Sequence, residues 1–167
     1  MERWLLARFA HVLYLRFDER ELHCVDLATS REVCFRPILG TYLDGKGVER
    51  VGWVGEPPPT GEVAETVARY APFSHPRVAI SGRDHAVALF RYALEKIYNR
   101  RVSLRPRLVL HPTRKWPGGL SDIERDALLS VAASTSASSA VVHEGAVLDR
   151  ADALQLARAA PVWAPRS

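Results

Sequence analysis

The chain has 167 residues, 47% apolar and 25% charged, with a net charge of +4. That is enough for one domain with a real core and ordinary for a globular protein. Two cysteines exclude a disulfide scaffold, no run approaches the roughly 18 apolar residues of a membrane span, and the arginine surplus is interspersed with acids rather than packed into the dense block that tracks nucleic acid.

Residues 1–10 (MERWLLARFA) place Leu5, Leu6 and Phe9 on one face of a helical wheel, with Trp4 and Arg8 on its flank. Such a short amphipathic segment suits a membrane interface. Docking on its own core or on a partner is the equal alternative, because one short helix holds lipid weakly unless many copies act together. Either way Trp4, Leu5 and Phe9 are the expected contact residues. The segment lacks the long apolar core and cleavage site of a signal peptide, so a cytoplasmic protein with reduced thiols is the default, with the inner face of the cell membrane within reach.

A single domain is expected over 11–160. Residues 11–17 (HVLYLRF), 21–27 and 31–35 read as three strands of an antiparallel meander, the last two joined by the Ala28-Thr29-Ser30 turn. Cys24 and Cys34 fall on neighbouring strands as small apolar fillers. Residues 38–43 and 49–54 form a further ribbon around the turn at 44–47. Pro57, Pro58 and Pro59 mark a connection. Val63, Val67 and Tyr70 fit a short helix over 62–70, and 72–76 is extended.

Residues 83–99 carry the strongest helical pattern, with Val87, Phe90, Leu94 and Ile97 in one stripe. Residues 107–111 are an apolar run suited to a buried strand, followed by a Pro- and Gly-rich loop over 112–119. Ser121 and Glu124 have capping-box spacing, and Ile123, Ala127, Leu128 and Val131 predict that helix's buried face. Residues 140–143 read as a second strand. Strand, crossover helix and strand give a parallel pair at the centre of a mixed α/β sheet. A helix over 150–160 stops at Pro161, leaving a flexible tail over 161–167 that carries Trp163.

Isolated residues carry little chemistry. His11, His23, His75, His85, His111 and His143 show neither HxH nor HExxH spacing, and no G-x-S-x-G elbow surrounds Ser121, Ser130, Ser134, Ser136, Ser138 or Ser139. Capping and turn roles suit those serines better. Trp116, beside Arg114 and Lys115, fits either a partner or headgroup contact or a tryptophan folded over the sheet edge.

The order of elements, three antiparallel strands, helix, strand, helix, strand, helix, resembles the ribonuclease H-like layout of the actin, sugar-kinase and heat-shock ATPase superfamily. In detail it is similar to the MreB family, the bacterial actin-like rod shape-determining proteins. An amphipathic segment with Phe before the first strand, Pro37 after the third, the run Pro106-Arg107-Leu108-Val109-Leu110-His111-Pro112, then Glu124, Arg125 and Ala127, and finally His143 and Glu144 all fall in the family's order. The likeness spans the first half of an MreB chain; the family's second phosphate loop and adenosine pocket belong to the other half.

The first phosphate loop of that family has an Asp-x-Gly-Thr signature, in which Gly admits the phosphate and Asp orients magnesium. This chain has Arg16, Phe17, Asp18 and Glu19 there, or Asp18-Glu19-Arg20-Glu21 in a shifted register. Neither register supplies the Gly, and both place carboxylates where a polyanion would sit. The resemblance thus implies a degenerate actin-like half, without ATPase activity, catalytic residue, metal or cofactor. Its expected partners are proteins, such as an actin-like filament or a cell-shape complex. Two alternatives share the layout: a metal-dependent nuclease or phosphohydrolase using Asp18, Glu21, Asp26 or Glu144, and an adaptor of a pilus or secretion assembly.

Overall fold

The computed structural model describes residues 11–57, 66–98 and 105–163. In chain order its elements are β1 (Val12–Phe17), β2 (Leu22–Asp26), β3 (Glu32–Phe35), β4 (Leu39–Leu43), β5 (Glu49–Val54), β6 (Ala68–Tyr70), α1 (Arg83–Tyr98), β7 (Arg107–Pro112), α2 (Asp122–Ala133), β8 (Ser139–Val142) and α3 (Arg150–Ala159).

The apolar residues of β1 are buried on both faces, which suits an interior strand. Antiparallel β2 and then β3 flank it on one side, so the expected meander forms. Parallel β7 and β8 flank it on the other, giving the order β3-β2-β1-β7-β8. Leu13, Leu15 and Phe17 of β1, with Leu108 and Leu110 of β7, meet α1 and α2 in the main core. Val12, Tyr14 and Val109 face the opposite way, against Ala153 and Ala157 of α3. Three layers result, with parallel β1, β7 and β8 ending along one edge.

The predicted ribbon is β4 and β5, in a separate sheet of order β5-β4-β6. It joins the body through Leu39, which enters the main core, and Tyr70, which stacks on His85 of α1 with ring centroids 3.6 Å apart. The Trp53 indole lies against Gly40, where even a Cβ would come within 2.2 Å of the ring.

Four expectations need correction. The end of the helix predicted over 62–70 is instead strand β6, paired to β4 with Tyr70 opposite Leu39; residues 58–65 lie outside the described part. Ile123 is 82% exposed, because it sits about 140° around α2 from Leu128 at 3.6 residues per turn, and the inward side is Leu128, Val131 and Ala132. Cys24 is buried, but Cys34 is exposed on edge strand β3, facing the other side of the sheet beside His23. The tail does not begin loosely at 161: the Trp163 amide donates to the Ser138 carbonyl at 2.8 Å and its ring packs on the core. Residues 1–10, with Trp4, Leu5 and Phe9, lie outside the described residues, as do 99–104 and 164–167.

Candidate functional site at the ends of the parallel strands

In open α/β sheets ligands bind beyond the carboxyl ends of the strands. In this molecule that edge gathers the β1–β2 turn, the loop after β7 and the start of the β8–α3 connection.

The turn is built on Asp18. Its Oδ1 accepts from the Arg20 amide at 2.7 Å and the Glu21 amide at 3.0 Å, while its own amide donates to the Glu21 carbonyl at 3.0 Å. This is an Asx turn, with the carboxylate mimicking a backbone acceptor. The Thr113 hydroxyl, at the end of β7, donates to Asp18 Oδ2 at 3.1 Å. Arg16 points away, on the α3 face, where its guanidinium donates to the His23 ring; Phe17 is buried in the main core against Phe73 and Phe90. Only Asp18 and Glu19 of the four therefore face the strand ends.

The loop after β7 closes over the turn. The Arg114 guanidinium donates to the His75 carbonyl at 3.2 Å and to the Pro76 carbonyl at 3.4 Å, lies 3.9 Å from the Glu19 carboxylate, and stands over the Trp116 ring at 5.8 Å. Trp116 is half-buried and packs on the main core.

Glu144 follows β8. Its Oε1 accepts from the Leu120 amide at 2.7 Å, and its Oε2 from the Arg125 guanidinium on α2. The α2 capping box is present: Ser121 Oγ accepts from the Glu124 amide, and the Glu124 carboxylate from the Ser121 amide. Those bonds hold the Glu124 carboxyl below its ordinary pKa. Its other oxygen accepts from the Ala79 amide at 3.0 Å, which ties the cap to the segment before α1.

The carboxylates named for a nuclease do not converge. Asp26 lies opposite Leu13 at the far end of β1 and is bound to His11 at 2.9 Å, while Leu22 at the start of β2 lies opposite Phe17. Among the described residues no group of three or more His, Cys, Asp or Glu side chains could hold a metal ion. No helix among them is long and apolar enough to cross a membrane.

The partners of Asp18 and Glu144 were hidden from sequence reasoning. Thr113 and Arg125 stand 95 and 19 residues away from them. Asp18 itself gave a local signal, an Asp two residues before a free amide at a strand end.

No protein-family model and no curated protein matches the chain. Solved structures do. MreB5 of Spiroplasma citri bound to AMPPNP superposes with a TM-score of 0.59 at 13% identity, over 81% of this chain and 39% of that one. The same protein bound to ADP gives 0.54 at 13% identity, over 81% and 38%. This likeness shows the fold alone, a mixed α/β architecture with helices packed on a multistranded sheet, as in the MreB5 chains. The chain spans about two-fifths of the length of the MreB5 chains it matches.

Proposed function

We propose that the chain is a non-enzymatic, MreB-like protein that acts by protein–protein contact in cell-shape or cytoskeletal organisation and has lost nucleotide binding. One observation carries this reading. The amides of the β1–β2 turn, which in a phosphate loop would face a ligand, are taken by the Asp18 carboxylate. A triphosphate brought to this turn would meet Asp18 and Glu19. At an effective dielectric near 20, two like unit charges 4 Å apart repel by about 4 kcal/mol, more than a typical net hydrogen bond returns. Glu144 supports the same reading, because Arg125 and the Leu120 amide hold the carboxylate that would have to activate water.

MreB5 was captured with AMPPNP and with ADP; this chain has the frame without the glycine-lined turn. The contacts it makes are with proteins, an actin-like filament or a cell-shape complex. Residues 1–10, through Trp4, Leu5 and Phe9, add a contact with a partner or with the inner face of the cell membrane, in the cytoplasm. Trp116 supports the body and is a lesser contact. Isothermal titration calorimetry with ATP and magnesium tests the reading. It predicts no saturable heat, and micromolar binding would overturn it. A pull-down separates shape proteins, expected here, from proteins of a pilus or secretion assembly.

A further inference from the structure

We propose that His111 is a pH-sensitive latch, which ties the β8–α3 connection to the sheet while its imidazole is neutral and releases that connection when the imidazole takes a second proton.

His111 is 1% exposed and lies near the end of β7, on the face covered by α3. Its Nδ1 is 2.6 Å from the Tyr14 hydroxyl, and its Nε2 is 3.3 Å from the Gly145 carbonyl. The Leu148 amide donates to the same Tyr14 hydroxyl oxygen at 3.1 Å. Gly145 and Leu148 both belong to the segment between β8 and α3, so two atoms of the sheet hold that segment from both ends.

The direction of every bond is fixed by its terminal members. The Gly145 carbonyl only accepts, so Nε2 carries a hydrogen. The Leu148 amide only donates, so the tyrosine oxygen accepts from it. The tyrosine hydrogen is then free to go to Nδ1, which accepts. A neutral imidazole with hydrogen on Nε2 therefore satisfies the whole chain. A second proton on Nδ1 points a donor at a hydroxyl whose own hydrogen has just lost its acceptor. A buried polar group left unpaired in this way is costly.

The charged and titratable neighbours add to that cost. From β1, Arg16 stands over the Tyr14 ring at 5.9 Å. From β8, the His143 ring meets the His111 ring edge-on at 4.7 Å. From α3, the residues in the apolar cluster on this face of the sheet are Ala153, Leu154, Leu156 and Ala157. Burial first, and then His143, hold the His111 pKa below the ordinary 6.5, outweighing the Gly145 carbonyl.

The sign follows from linkage. The open connection, with an ordinary imidazole, binds more protons than the closed one. The closed form is favoured in full above about pH 6.5 and loses that advantage as pH falls towards the lowered value.

Hydrogen exchange by mass spectrometry on the full chain tests the latch, with rates corrected for intrinsic pH dependence. Residues 143–149 should exchange at least threefold faster at pH 5.5 than at pH 7.5, relative to α2, which contains no histidine. His111→Asn should abolish that pH dependence. Equal exchange at the two pH values, or a dependence that survives in His111→Asn, would overturn the proposal. Should His111→Asn fail to fold, the NMR titration of the His111 ring decides: its midpoint should lie below 6.5 in the wild type and rise in Tyr14→Phe. A wild-type midpoint at or above 6.5 would overturn the proposal.

Discussion

The Thr113 hydroxyl donates to the Asp18 carboxylate at 3.1 Å, joining the ends of the neighbouring parallel strands β1 and β7. The same carboxylate already receives two amides of its own turn. Together with Arg114, which reaches Glu19 and the carbonyls of His75 and Pro76, it makes one connected unit of three loops. The Asp18 carboxylate at this edge is therefore engaged by internal partners.

Asp18→Ala leaves the Arg20 and Glu21 amides and the Thr113 hydroxyl without that acceptor. The site is partly exposed and water replaces some of the loss, so the expected cost is about 1–2 kcal/mol in urea denaturation. Asp18→Asn retains an acceptor oxygen and should recover most of it.

Glu144 and Arg125 form an ion pair with side chains 28% and 37% exposed. Solvent screens such a pair, so a double-mutant cycle through Glu144→Gln and Arg125→Met should return a coupling of about 0.5–1 kcal/mol. Coupling near zero would mean that Arg125 does not hold Glu144 in solution.

Gly40→Ala drives a methyl into the Trp53 indole, which cannot move away freely because Trp53 is buried and its Nε1 donates to Thr66 at 3.1 Å. Overpacking of this kind costs about 1–3 kcal/mol. The control is Gly45→Ala, where a Cβ meets nothing within 4 Å; its melting temperature should be unchanged or slightly higher.

Much of the fold was legible because it is written locally. The apolar run 12–15 marks β1 as an interior strand, alternation over 22–26 marks β2, and Ser121 with Glu124 marks the start of α2. What escaped was decided at a distance. β6 is three residues long and exists because β4 offers it a partner, whereas Val63, Val67 and Tyr70 offered a helical spacing. Ile123 shares the spacing of the apolar stripe but falls off the side that meets the sheet. The missing glycine and the local acceptor role of Asp18 could be read near Asp18 itself; its third bond could not, since the donor Thr113 is 95 residues away.

Asp26 is 1% exposed. Burial alone would raise its pKa, but the Ala28 amide, the His11 ring and the Thr29 hydroxyl outweigh burial and hold it below the ordinary 3.8. A depressed folded-state pKa stabilises the fold above about pH 4, and that contribution is lost as pH falls through the folded value. Asp26→Asn should therefore be less stable than wild type at pH 7, with the gap closing below pH 4 in a series of thermal melts.

The most direct measurement of the central claim is a two-dimensional amide NMR titration with ATP and magnesium, followed at Arg20, Glu21 and Thr113. With Asp18 already seated on the turn, these three signals should stay in place up to millimolar nucleotide. Saturable shifts centred on the Arg20 and Glu21 amides would show that a phosphate can displace the Asp18 carboxylate, and would contradict the account.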